Sequence, residues 1–379
     1  MLLVAAFGAG AWYLLQTDQP FWAKPTAAPE QAARVVVPAA KPAVERAGKA
    51  VALKPGKPST VAGPAAQPAR GYVAVAAAKP APSVAVKFQA PNTYPRQPGS
   101  WLDAQVALAR RGYSCGSIDG VFGTQTAWAW HAFQSEEGLA ETNCLDEQTC
   151  VALPLDAAPT ARVTVTAADL ARLQPLSTTW LGKSEQSALD YETLLELVAE
   201  RARAHPALLR KLNPDFDWDH AQAGAVVTVP AAARTAPRAK AASLHVQLAE
   251  RILQARDGEG RLIAHFPVSI ARKVEKRPVG ELHVVVVAPN PNYTFDPDVF
   301  PESAEAQELG RKLVVPPGPN NPVGLAWVGL DRPGYGIHGT PNPEQVGRTE
   351  SHGCFRLANW DALTLLDLVW AGLPVYVEP

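Results

Sequence analysis

The chain opens with Met1 to Leu15, an unbroken apolar run that includes Trp12 and Tyr13. As a helix it would reach about 22 Å, short of the roughly 30 Å of a bilayer core. No lysine or arginine precedes it and no small-x-small site follows closely, so residues 1–16 read as an export signal or single membrane anchor with an atypical flank. Hydrophobic periodicity then disappears until Trp101. There Leu102, Val106, Ala109 and Tyr113 recur at helical spacing, and Gly112 can stop the helix. Ile118-Asp119-Gly120-Val121-Phe122-Gly123 predicts a tight turn. Thr124 is placed to cap a second helix whose buried stripe is Ala127, Trp130, Ala132 and Phe133. Further on, Tyr191, Leu194, Leu195 and Val198 mark a helix, Leu208, Leu209 and Leu212 a second, and Val226 to Pro230 a strand.

From Ser243 the pattern becomes strand-like. Ser243–Leu253 and Leu262–Ile270 predict two strands around the turn Asp257-Gly258-Glu259-Gly260. More strands are predicted at His283–Val287, around Trp327-Val328 and Tyr335–His338, and at Val375–Val377. One substantial helix precedes the last strand, with Trp360, Leu363, Leu366 and Trp370 on one face, Asn359 as N-cap and Gly372 as stop. The fold class is therefore multidomain: a small helical module, a helix–helix–strand segment, and a mainly-β domain, β-sandwich-like with one main helix.

Composition explains the aperiodic stretch. Thr17 to Ser100 holds 14 Pro and 22 Ala in 84 residues, with 11 Lys+Arg against 3 Asp+Glu. Such chain buries too little surface to offset its ordering entropy, and extended it could reach about 260 Å. It reads as a disordered linker whose charge of +8 keeps it solvated or draws it loosely to anionic polymers, while residues 101–379 carry −9. Balanced overall charge disfavours a nucleic-acid binder of the basic kind. The organisation is 1–16 signal or anchor, 17–100 linker, 101–156, 161–232 and 241–379 folded units. Cys115, Cys144 and Cys150 all fall in the first unit, where export would permit one disulfide in any of three pairings, or free buried thiols.

The candidate chemistry is in the last domain. Ile337-His338-Gly339-Thr340 is followed by Ser351-His352-Gly353-Cys354-Phe355-Arg356-Leu357. A cysteine and a histidine set apart in sequence suggest a thiol nucleophile and its base. This predicts a thiol ionised near neutral pH by a neighbouring imidazole. Gly353 lets a carbonyl approach the backbone, where the N–H groups of Gly353 and Cys354 can hold an oxyanion. Arg356 offers a fork for a carboxylate or a structural pin, and His352 lines the pocket or orders the turn. A metal reading of His338, His352 and Cys354 lacks CxxC or HExxH spacing, so no metal or cofactor is implied. Ala288 to Pro319 is long for a connection and reads as a lid or flap over the site.

Three resemblances follow from these residues. Gly112-Tyr113, Ile118 to Gly123, Thr126, Ala132-Phe133-Gln134 and Gly138-Leu139 resemble the peptidoglycan-binding-like three-helix domain. Val163-Thr-Val, the two following helices, Asn213-Pro214, Gly224 and Val226–Pro230 resemble a divergent LysM module, a βααβ glycan-binding unit. Leu170 to Asp190 is longer than that motif wants. Ser351-His352-Gly353-Cys354, with His338-Gly339-Thr340, Pro278-Val279-Gly280-Glu281 and Gly372-Leu-Pro374-Val375, resembles the L,D-transpeptidase catalytic domain.

The last resemblance implies that Cys354 attacks the third residue of a peptidoglycan stem tetrapeptide, expels D-alanine and forms a thioester that an acceptor amine resolves as a 3→3 cross-link. It also implies that His338 is the base, oriented by the Gly339 carbonyl. Ser351, His352, Gly353, Arg356 and Tyr335 would contact substrate. Expected partners are stem peptides, glycan strands and, through residues 1–16, a membrane, which places the protein in the cell envelope. Water as acceptor would make an L,D-carboxypeptidase, and a protein acceptor would give attachment to the wall. A non-catalytic wall-binding protein is the reading from another class.

Overall fold

The computed structural model describes residues 36–37, 93–233, 239–299, 304–348 and 353–379. The expectations for residues 1–16, for nearly all of the linker, and for Ser351 and His352 lie outside the described residues. Two linker residues are an exception. β1 (Val36–Val37) pairs in parallel with Asn292–Tyr293.

The first module starts before Trp101. Arg96 pairs with Asp103 at 2.8 Å, and its backbone N–H donates to the Leu155 carbonyl at 3.1 Å, closing the module's two ends together. α1 (Trp101–Arg110) is capped by Ser100. α2 (Thr124–Glu136) has Gly123, not Thr124, at its N-cap, and Ala129 lies in its buried stripe where Ala127 was expected. α3 is Glu147–Ala152. Trp130, Phe133, Leu108 and Ile118 fill the core. Buried Gln105 holds the predicted turn: its amide donates to Asp119 and Thr126 at 2.9 Å each and accepts from the Gly120 N–H at 2.7 Å. All three cysteines of this module are free thiols, Cys115 and Cys150 buried within the module and Cys144 on its surface.

In the second module β2 (Thr160–Thr164) pairs antiparallel with β3 (Val226–Pro230). Between them run α4 (Ala167–Leu170), α5 (Trp180–Glu185), α6 (Leu194–Arg201) and α7 (Pro206–Leu212). The strands pack on Leu194, Leu197, Val198 and Leu209.

The last domain contains β4 (Ser243–Gln247), β5 (Ile252–Arg256), β6 (Leu262–Pro267), β7 (Gly280–Pro289), β8 (Asn292–Phe295), α8 (Ala304–Leu309), β9 (Leu313–Val315), β10 (Ala326–Leu330), β11 (Gly336–His338), β12 (Phe355–Arg356), α9 (Asn359–Leu368) and β13 (Pro374–Glu378). Ser243–Leu253 is two strands rather than one, because Arg251 adopts φ 57° and reverses the chain. Eight strands form one sheet in the order β12-β11-β10-β7-β13-β4-β5-β6. The sheet curls until its ends meet: Ser269, just past β6, exchanges backbone hydrogen bonds of 2.9 and 3.0 Å with Arg356 of β12. The two faces expected of a sandwich are thus one curled sheet around a single core, which α9 enters with Ala362, Leu365 and Leu368. The helix is apolar nearly all round, so its stripe alone left the buried face open; Trp370 is 45% exposed. β1, β8 and β9 make a separate small sheet.

The modules interlock. Gly112 and Ser114 exchange backbone bonds with His265 on β6, covering that edge. Ser114 Oγ donates to buried Asp361 on α9 at 2.8 Å. Ile118 exchanges backbone bonds of 2.8 Å with Arg203 and His205 of the second module. Among the described residues no helix is long and apolar enough to cross a membrane.

Candidate active site

β11 ends at His338, and β12 begins one residue after Cys354. The parallel register pairs Ile337 with Phe355 and His338 with Arg356, which sets Cys354 beside Gly336. Side chains two apart on a strand share a face, so thiol, imidazole and guanidinium project to the same side of the sheet. Adjacent strands therefore bring together residues sixteen positions apart in sequence.

The histidine is fixed on several sides. Its Nδ1 lies 2.6 Å from the Gly339 carbonyl oxygen, which can only accept, so Nδ1 carries the proton and Nε2 keeps its lone pair. Trp327 stacks on the imidazole with centroids 5.7 Å apart at 22°. The same indole crosses Gly336, where a Cβ would come within 2.6 Å of it. Gly339 is equally constrained, since a Cβ there would meet the Asn359 side-chain oxygen at 2.2 Å.

Asn359 is not the predicted cap. Ala358 takes that place, and Asn359, fully buried, serves the loop behind the histidine. Its oxygen accepts from the Leu325 N–H at 3.1 Å, and its amide donates to Glu200 Oε2 at 2.7 Å and to the Pro319 carbonyl at 3.0 Å. Glu200 belongs to α6 of the second module and also accepts from the Tyr191 hydroxyl at 2.9 Å. Burial pushes its carboxyl up to about 7, against the two hydrogen bonds that favour its ionised form.

Cys354 keeps some exposed surface and packs against a cluster containing Tyr293, Phe295 and Trp327. Its thiol donates to the Gly334 carbonyl at 3.5 Å. Burial pushes the thiol up to about 11, although the Gly336 N–H and the charge of Arg356 oppose the rise. Burial also pushes His338 down to about 3, assisted by Arg356 and opposed by the Gly339 bond. Both shifts favour the uncharged forms, so the pair rests as thiol and neutral imidazole at pH 7. Burial withholds water from both charges. Arg356 is held below its ordinary range by burial, with the groups of Cys354 and Tyr293 opposing.

Tyr335 is half-buried, its ring 3.7 Å from where a Cβ of Gly353 would stand, and Arg332 lies over that ring at 4.6 Å. Tyr335 and buried Gly353 thus form one wall beside Cys354. The segment read as a lid folds as β8, α8 and β9, and Tyr293 of β8 lies within electrostatic reach of Cys354. It is braced by the part of the second module that exceeded the βααβ pattern. There α5 stacks Trp180 on Phe295 with centroids 4.4 Å apart at 17° and places it 5.9 Å from Tyr293. Sequence reasoning did not find Trp327, Asn359 in this role, or Glu200. The excess length of Leu170–Asp190 was the one signal pointing to α5.

Residues 241–377 match the family model of the L,D-transpeptidase catalytic domain, YkuD, and residues 98–153 match that of a peptidoglycan binding domain. The last domain is thus an L,D-transpeptidase catalytic domain and the first module a peptidoglycan binding domain. YkuD of Bacillus licheniformis, named as an L,D-transpeptidase, is 29% identical over 50% of this chain and 94% of its own. YbiS of Escherichia coli, named likewise, is 35% identical over 31% of this chain and 35% of its own. The chain spans just over half the length of two Bacillus subtilis relatives. The crystal structure of an L,D-transpeptidase from Xylanimonas cellulosilytica aligns with 76% of this chain and all of its own at 15% identity and a TM-score of 0.32.

Proposed function

We propose that this protein is an L,D-transpeptidase that cuts and rejoins peptidoglycan stem peptides through a thioester on Cys354. One observation carries the reading: within the matched domain, His338 ends β11 and Cys354 immediately precedes β12, in a register that turns both to one face. The Cys354 sulfur attacks the carbonyl of the third, diamino-acid residue while its proton passes to His338 Nε2. Because both groups rest uncharged, the proton moves as the C–S bond forms rather than beforehand. The N–H groups of Gly353 and Cys354 hold the oxyanion. The C–N bond to terminal D-alanine then breaks, and His338 returns the proton to the leaving amine. An acceptor stem's side-chain amine attacks the thioester, gives up a proton through His338 and restores the thiol, which leaves a 3→3 cross-link. Arg356, charged and half-buried beside Cys354, pairs with a stem carboxylate.

The domain order supports an envelope location, with residues 1–16 as export signal or anchor. The β2–α6–α7–β3 order supports a LysM-like role for the second module, modified by α5 to brace the flap. The test is incubation of the full chain with a stem tetrapeptide, following D-alanine release and the mass of Cys354. A transient adduct on Cys354 and a cross-linked dimer are expected. Turnover that survives Cys354→Ala would falsify the proposal, and tripeptide without dimer would make water the acceptor.

A further inference from the structure

The Gly339 carbonyl decides which nitrogen of His338 holds the proton, and that carbonyl is itself packed in place. A Cβ on either Gly324 or Gly339 would overlap the Asn359 side-chain oxygen, and one on Gly324 would also stand 2.7 Å from the Gly339 carbonyl carbon. Gly324, Gly339 and Asn359 therefore fit together without slack. The direction of the Gly339 carbonyl, 2.6 Å from His338 Nδ1, depends on where the Asn359 amide sits.

Asn359 owes that position to another module. It opens α9 but makes no cap bond for the helix. Its amide nitrogen donates to the Pro319 carbonyl at 3.0 Å and, by the shorter bond of 2.7 Å, to Glu200 Oε2. Glu200 lies on α6 between core residues Leu197, Val198 and Ala199 on one side and Ala202 on the other. An apolar residue would fill such a place without the cost of burying a carboxyl group. The carboxyl instead accepts from the Tyr191 hydroxyl at 2.9 Å with one oxygen and from Asn359 with the other. Two residues further along α9, buried Asp361 accepts from Ser114 of the first module at 2.8 Å, and its charge acts on Arg203 of the second. The first turn of α9, directly behind His338, is thus held from both front modules.

We infer that Glu200 is a positioning residue of the transfer reaction: through Asn359 it keeps the Gly339 carbonyl on His338 Nδ1, so the second module completes the active site of the catalytic domain. The inference deepens the proposed function and rests on it for the proton transfers that His338 performs. Those transfers need a lone pair on Nε2, which exists only while the ring's proton stays on Nδ1. An Asn359 freed from Glu200 no longer backs the Gly339 carbonyl, so the ring gains a second tautomer and a second tilt. Misplacement of about 1 Å in such a group costs up to about 10²-fold in rate.

The test compares D-alanine release from a stem tetrapeptide by the full chain in wild type, Glu200→Met, Glu200→Gln and Asn359→Ala. On the same proteins the ¹H–¹⁵N signal of the His338 Nδ1–H, assigned by its loss in His338→Gln, reports the bond to Gly339. Glu200→Met keeps the volume but removes the carboxyl; it should lower kcat about tenfold or more, leave KM within about twofold, and shift or broaden the Nδ1–H signal. Glu200→Gln can accept from Asn359 and donate to Tyr191, so it should return the signal and bring kcat to within about threefold of wild type. Glu200→Met combined with Asn359→Ala should be no slower than Asn359→Ala alone, because one acts through the other. An unaltered kcat or an unaltered signal in Glu200→Met overturns the inference, as does a Glu200→Gln that is equally slow or a double variant in which the two losses multiply. If Glu200→Met does not fold, Tyr191→Phe removes the other bond to the same carboxyl; a kcat loss of about threefold or more with a shifted signal is then expected, and no change in either overturns it. Absence of D-alanine release from wild type removes the proposed reaction, while the imidazole signal still decides whether Glu200 positions His338.

Discussion

The resting state of Cys354 sets a rate that can be measured. A thiol pushed up to about 11 is ionised to about 10⁻⁴ at pH 7, against about 3% for a free cysteine with a pKa near 8.5. Alkylation proceeds through the thiolate, so this difference alone slows labelling about 300-fold. The more basic thiolate is the better nucleophile; a Brønsted slope of about 0.45 over about 2.5 units returns roughly tenfold, leaving a deficit of about 20- to 30-fold. Iodoacetamide labelling, followed by peptide mass mapping with N-acetylcysteine as standard, reads that deficit. The rate should also climb about tenfold per pH unit from pH 7 to 10. His338→Ala should leave this slope unaltered, because the imidazole contributes no charge in the free enzyme. A rate at pH 7 that equals the standard and is already flat would refute the reasoning, since it would require a thiolate–imidazolium pair before substrate binds.

Three further outcomes follow from the surroundings of the site. Gly339→Ala drives a methyl group into the Asn359 oxygen, so it should lower stability by about 1–3 kcal/mol and tetrapeptide turnover by about 10²-fold, measured by denaturant titration and D-alanine release. Glu200, raised from 4.5 to about 7, stabilises the fold in acid and loses that contribution as pH rises through 7. Between pH 5 and 8 the wild type should lose about 2–3 kcal/mol relative to Glu200→Gln. His265 and His338 shift the other way and cancel in that difference; parallel pH curves for the two proteins would remove Glu200 as the titrating group. Trp180→Ala removes the stacking on Phe295, worth about 0.5–1.5 kcal/mol beyond area burial, and limited proteolysis should then cut between β8 and β9 sooner than elsewhere in the domain.

The candidate pair stands out in the sequence because its signal is local: a histidine and a cysteine, each followed or preceded by glycine, sixteen positions apart. What surrounds them was not. Asn359 looks like a cap when only its helix is considered, yet its partner Glu200 is 159 positions away in another module. Its burial follows from how the modules pack, which no window of neighbouring residues reports. Arg251 was hidden for a different reason, since a single left-handed residue splits an apparently continuous strand without altering its apolar content. The stripe of α9 failed because a helix apolar on most sides has no preferred face until the sheet chooses one. Protonation lies outside any sequence pattern: a cysteine near a histidine suggests an ion pair, whereas burial of both favours the neutral forms.

The backbone exchange of Gly112 and Ser114 with His265 has a practical side for anyone preparing this protein. Trimming the gene to residues 241–379, the obvious expression unit, would strip the cover from β6 and leave the His265 N–H and C=O open to a neighbour's strand. Such a fragment should clump where the longer polypeptide stays monodisperse, and low yield of the short version would speak of a missing chaperoning surface rather than a faulty catalyst.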